Sequence, residues 1–179
     1  MAFTNFYGLI DTDYIKENYV LCGQLEDSFI APFIQTAQEK YLINVLSSGL
    51  YKDIQQQVAD YLNSGTSISS TYTLLINDYL KNTLMHWTVY EMIPFLNYSV
   101  GNISIAKKSS EFSTPAELAE VTYIRNTVRS SAQFYEDRLK KHLSAEGQTT
   151  YPKLNEQYTN TDGNNSGDNN IHCGIYLGG

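Results

Sequence analysis

Charge is scarce in this sequence: Asp, Glu, Lys and Arg make up 17% of 179 residues, against about 25% in a typical globular chain. Polarity comes instead from Asn, Ser, Thr, Gln and Tyr. Cysteine is scarcer still. Cys22 and Cys173 sit near opposite ends, which argues against a disulfide scaffold and fits two reduced thiols. Long apolar runs are missing as well: the longest, Met92 to Leu96, has about five residues, where ~18 are needed to read as a membrane-spanning helix. The opening MAFTNFYGLIDTD places no basic region before an apolar stretch, so no secretory signal and no membrane association are expected. The expectation is a soluble protein made inside a cell.

Motifs that carry chemistry are absent too. No GxxxxGK[ST], HExxH, GxSxG or GxGxxG pattern occurs, and His86, His142 and His172 lack Cys or carboxylate neighbours at metal-ligand spacing. His172 and Cys173 are adjacent, and adjacent side chains seldom point at one another as a nucleophile and its base must. Asp162, Asn164, Ser166 and Gly167 match positions 1, 3, 5 and 6 of a calcium loop, but position 12 is Cys173 rather than a bidentate Glu. A polar linker is the expected reading there. No catalytic residue, metal ligand or cofactor site is expected.

A hydrophobic fraction of 42% excludes wholesale disorder and suits one domain with an appendage. The net charge of −7 is uneven: residues 1–106 carry −6, 107–141 carry +2 and 142–179 carry −3. Free nucleic-acid binding needs clustered positive charge, so such a chain is a poor candidate for it. Tyrosine is abundant, with 15 copies, and its apolar ring with a polar tip is enriched where surfaces meet partners. An oligomer or assembly component is expected on this ground.

Apolar spacing of three and four predicts an all-α fold with four principal helices, near 27–47, 50–63, 71–96 and 115–144, after a short element near 13–18. Pro32 is assigned to a first turn, and Gly49 to the left-handed break after Ser47 and Ser48. Residues 71–96 leave little polar surface, so this helix is expected to be central, with Trp87 in the core and His86 a core residue. Tyr98 to Phe112 changes period and reads as a loop or small hairpin. Thr114, Pro115 and Glu117 suggest an N-cap, first position and N3 of a capping box. The stripe Leu118, Val121, Ile124, Val128, Ala132, Tyr135, Leu139 and Leu143 then runs to an end near Ser144 or Gly147.

The domain is expected to close at 147, with 148–179 forming an extended tail. Asn160 to Asn170 has no large apolar side chain, whereas Ile171, Ile175, Tyr176 and Leu177 end the chain among glycines. The composition describes a tether with an apolar anchor that binds a partner. Arg125 and Arg129, four apart, with Lys107 and Lys108 before them, are the candidates for a face turned to phosphate or an acidic partner. The plainer alternative is a solvated face with local ion pairs to Glu136 and Asp137.

The succession IAPFIQTAQEKYLINVLSSGLYKDI, TLLINDYLKNTLMHWTVYEMIPFLNYSV, GNISIAKKSSEFSTP and ELAEVTYIRNTVRSSAQFYEDRLKKHL, over residues 26–143, resembles the head-to-tail connector (adaptor or neck ring) proteins of tailed bacteriophages, especially those of crAss-like phages. The resemblance implies a helical virion subunit, made in the host cytoplasm and assembled into a twelvefold homo-oligomeric ring beneath the portal protein. It implies contact with adjoining neck or tail proteins and an axial channel through which genomic DNA passes without specific binding. Enzymatic activity and cofactors are not implied. The alternative is a cellular helical adaptor or regulatory module that binds a peptide or small ligand.

Overall fold

The computed structural model describes residues 7–20, 24–96, 98–100, 105–107 and 117–156. The expected all-α architecture is present. Helix α1 spans Thr12–Asn18, with the Asp11 carboxylate accepting from the Tyr14 amide at 2.7 Å, a side-chain cap for an orphan donor. Helix α2 (Asp27–Ala37) passes through a π-helical turn, Gln38–Leu42, into α3 (Ile43–Ser64). Gly65 closes α3 at φ 71°, its amide donating to the Tyr61 carbonyl at 3.0 Å. Ser69 caps α4 (Ser70–Leu75) through Oγ, and a second π-helical turn, Ile76–Leu80, leads into α5 (Lys81–Leu96). Strands β1 (Tyr98–Val100) and β2 (Ile105–Lys107) pair antiparallel, Tyr98 facing Lys107, as the small hairpin between the last two helices. Helix α6 spans Leu118–Thr150.

Helix α5 is the centre. It packs against α6 on one side and α2 on the other, and Leu84, Met85, Trp87, Val89, Met92 and Ile93 are all buried. Thr83 and Thr88 are buried too, and each hydroxyl donates to the carbonyl four residues back at 2.8 Å, to Tyr79 and Leu84. That satisfies polar groups which would otherwise weaken a helix enclosed on both sides.

Several local expectations are corrected. Pro32 lies in the second turn of α2, not the first; the carbonyl it leaves without an intrahelical donor belongs to Ser28, which is exposed and free to meet water. The break in the second helix falls at Ser47 (φ 65°, ψ 158°) rather than Gly49. Gly49 has a different reason: a Cβ there would stand 2.6 Å from Glu156 Cβ and 2.9 Å from the Lys153 carbonyl oxygen. The last helix starts at 118, not 115, because Glu117 is extended and is itself the N-cap; its box partner is Glu120, whose carboxylate accepts from the Glu117 amide at 2.9 Å. Thr114 and Pro115 lie outside the described residues.

Helix α6 also runs beyond its expected end. Gly147 (φ 60°, ψ −162°) bends it in a region open essentially only to glycine, and the bent end carries Tyr151 into the core. Residues 148–156, expected as the root of a free tail, therefore pack on the chain's own bundle. The rest of that expected tail, 157–179, lies outside the described residues. Leu118 and Ile124 belong to the expected apolar stripe but are exposed, because the spacing of a stripe says nothing about how far along the helix a neighbour extends.

Candidate functional site

Two polar seams hold the bundle together, and one apolar surface is left open. The first seam lies where the π-helical turn after α2 meets α5 and α6. The turn directs Lys40 and Tyr41 toward Glu91, which accepts from Lys40 Nζ at 2.6 Å and from the Tyr41 hydroxyl. Burial works against ionisation of Glu91, but these two donors outweigh it and hold the carboxyl below its usual range. Burial and then the Glu91 carboxylate push the Tyr41 hydroxyl far above its ordinary value. The Tyr41 ring stacks on Trp87 with centroids 3.9 Å apart, and Trp87 Nε1 donates to Glu136 Oε2 at 2.9 Å. Trp87 is thus in the core, as expected, with its polar edge satisfied.

The second seam fastens the C-terminal segment. The Gly49 amide donates to the Glu156 carbonyl at 2.8 Å, and Ser47 Oγ to the Lys153 carbonyl at 3.2 Å. Asp53 accepts from Tyr72 at 2.5 Å and from Lys153 at 2.9 Å. Burial raises the Asp53 pKa, yet the two donors bring it below the ordinary carboxylate value. Tyr151 meets His142 Nε2 at 2.8 Å, and the His142 ring stacks on Tyr79 at 4.1 Å.

His86 is sandwiched between Tyr135, stacked at 4.7 Å, and the edge of Tyr19 at 5.4 Å. Its Nδ1 is buried without a hydrogen-bond partner, and burial lowers its pKa. The expected satisfied core histidine is therefore corrected: His86 is half-buried among aromatic rings, with one ring nitrogen unpaired. In both seams the ionisable groups hold one another across helix contacts, an arrangement that braces the packing. Among the described residues no cluster of His, Cys, Asp or Glu is arranged to hold a metal ion, and no helix is long and apolar enough to cross a membrane.

The expected cationic face is only partly assembled. Arg125 does not face outward: its guanidinium lies over the Tyr90 ring at 4.3 Å, with Nε buried and lacking a hydrogen-bond partner. This is a correction, and its cause is cation–π attraction to an aromatic face on α5. Arg129 is exposed. Lys107 ends β2, and Lys108 lies outside the described residues, so no shared face of the four can be drawn. Glu136 pairs with Lys140 at 2.5 Å rather than with an arginine, and Arg138 sits over Tyr79 at 5.1 Å. Ile171, Ile175, Tyr176 and Leu177, the calcium-like fragment from Asp162, and both cysteines also lie outside the described residues.

The open surface belongs to the first half of α6. Leu118 is 68% exposed, Tyr123 74%, Ile124 40% and, further along, Phe134 65%. Beside them Val20, after α1, is 99% exposed, and together with Tyr19, Tyr123, Ile124 and Val128 it borders a mainly apolar groove of about 370 Å³. Sequence reasoning missed Tyr123 and Phe134. The signal was available: both are large aromatics placed off the stripe of a helix whose stripe already supplies its core contacts.

Residues 42–164 match a family described as a family of unknown function, DUF6712, and as this is more than half of the 179 residues, the chain belongs to that family. Neither the curated proteins nor the solved structures contain a match to it.

Proposed function

We propose that this protein is a structural subunit of a virion: one copy in a ring between portal and tail that joins head to tail and lines the DNA channel. The observation that carries this reading is the first half of α6, where Leu118, Tyr123 and Ile124 stand exposed within the first two turns. Tyr123 and Ile124 border one apolar groove with Val20, and exposed apolar surface gathered in this way marks a contact site. The abundance of Tyr and the low charge support extensive contacts with other copies. The net charge of −7 suits a wall along which DNA slides without being held.

On this reading the ring is homo-oligomeric and twelvefold, works without catalysis or cofactor, and touches the portal protein and an adjoining neck or tail protein. Lys107, Lys108 and Arg129 face the channel or an acidic portal-side surface, while Arg125 serves the subunit's own packing. Ile171, Ile175, Tyr176 and Leu177 anchor the chain end on a partner. The site of action is the virion neck, after synthesis in the host cytoplasm. The test is a reconstruction of the particle's neck: closed-ring density below the portal, into which α5 and α6 fit in every copy, is expected. A stable monomer that takes a small ligand in the α1–α6 groove, with no such density, would favour the helical adaptor instead.

A further inference from the structure

The apolar groove and the anchored segment that ends at Glu156 stand toward opposite ends of α6, and their separation constrains what can fill the groove. The C-terminal segment is fixed at Gly49, Ser47 and Asp53, next to buried Tyr151. Ile124, at the groove, lies 27 positions earlier on the same helix, which at about 1.5 Å per residue makes roughly 35 to 40 Å, allowing for the bend at Gly147. From Glu156 the chain has residues 157–170 to spend before its apolar end begins at Ile171. A Gly- and Asn-rich stretch of that length has a root-mean-square span of roughly 20 Å and a limit of about 50 Å when fully extended. The end could therefore meet its own groove only when drawn almost straight around the outside of the bundle, at a large entropic cost.

We infer that the groove bordered by Tyr19, Val20, Tyr123, Ile124 and Val128 receives the C-terminal segment Ile171–Leu177 of a second copy of this chain. The chemistry matches on both sides: a mainly apolar recess takes Ile, Tyr and Leu side chains, and the segment from Ile171 to Leu177 carries no carboxylate, lysine or arginine that would have to be desolvated. The groove lies between a helix and a loop, so the segment is held by its side chains entering the recess. Because the donor segment and the acceptor groove are different surfaces, the contact is heterologous, and a heterologous contact repeats from copy to copy until it closes into a ring or runs on as a filament. The inference rests on the ring reading for the closure, but not for the contact itself.

Photocrosslinking of the full chain tests it. Isotopically heavy chain carrying Tyr123→p-benzoylphenylalanine is mixed with light unmodified chain, irradiated, and the adducts sequenced by mass spectrometry, while sedimentation of the same sample reports assembly. Heavy–light adducts between position 123 and a peptide containing residues 171–177 are expected. Adding Ile124→Asp to the heavy chain is expected to lower their yield at least about tenfold with an unchanged melting temperature. Adducts confined to heavy chains with their own tails, adducts to other segments, or no adduct at all would overturn the inference. A closed ring without tail adducts would defeat this contact and spare the ring; tail adducts in open chains or filaments would do the reverse.

Discussion

The two halves of α6 use the same vocabulary to opposite ends. From Val128 to Leu143, Val128, Ala132, Leu139 and Leu143 are buried against α5 and its neighbours; from Leu118 to Thr127, side chains of the same kind stand largely in solvent. The comparison teaches that an apolar stripe reports a demand for burial and does not name what meets it. In the second half the subunit meets the demand itself, with Trp87 and Glu136 joined across the seam. In the first half, the proposed ring would meet it through a neighbouring copy.

The sharpest way to break this contrast is within the buried half. Trp87→Ala removes a ring that stacks on Tyr41 and a donor to Glu136, and should destabilise the subunit by about 3 to 5 kcal/mol in urea unfolding. A loss below about 1 kcal/mol would mean that the seam between α5 and α6 is not the core. Gly49→Ala comes next, since its methyl group would meet backbone at 2.7 and 2.9 Å. A cost of about 1 to 3 kcal/mol is expected, with faster amide exchange at Gly49 and Tyr151. Wild-type exchange at those amides would show that residues 151–156 are not held there.

Acid offers a smaller, graded probe of the same seam. Burial depresses the pKa of His86, so the folded state favours the neutral ring; its contribution is intact above the unfolded value near 6.5 and declines as pH falls below it. Asp53 and Glu91, also depressed overall, lose their contributions only as pH falls below about 4. His86→Phe should therefore flatten the stability profile between pH 7 and 5 while leaving the steeper acid limb in place; an unaltered slope would acquit His86. The smallest effect on folding belongs to the open half. Leu118→Ser, Tyr123→Ser and Ile124→Ser should each change subunit stability by within about 0.5 kcal/mol, yet together abolish assembly. Large destabilisation would mean that these side chains are covered by the chain itself.

Much of the fold was legible because most helices follow the 3.6-residue period with recognisable ends. The corrections cluster where local sequence is outvoted by a distant contact. Gly49 looked like a turn residue and is a landing place for Glu156, more than a hundred positions away. Thr114 and Glu117 formed a plausible box, but Glu117 paired with Glu120 instead. The two π-helical turns, which direct Tyr41 and Tyr79 into their stacks, left no mark on the apolar spacing. Arg125 read as a solvent-facing cation because no one-dimensional pattern shows that Tyr90 on another helix lies beneath it. The exposed aromatics of α6 could have been picked out as off-stripe residues, while the groove they share with Val20 could not, since it joins segments about a hundred positions apart.

If the exposed first half of α6 is an interface between copies, the full chain assembles through it. Native mass measurement of the full chain at tens of micromolar decides this. A single closed multiple of the 20.3 kDa subunit, twelve copies, is expected, reverting to one copy when Leu118, Tyr123 and Ile124 are changed to Ser; a wild-type chain that stays at 20.3 kDa across that range would show that this surface joins no copies.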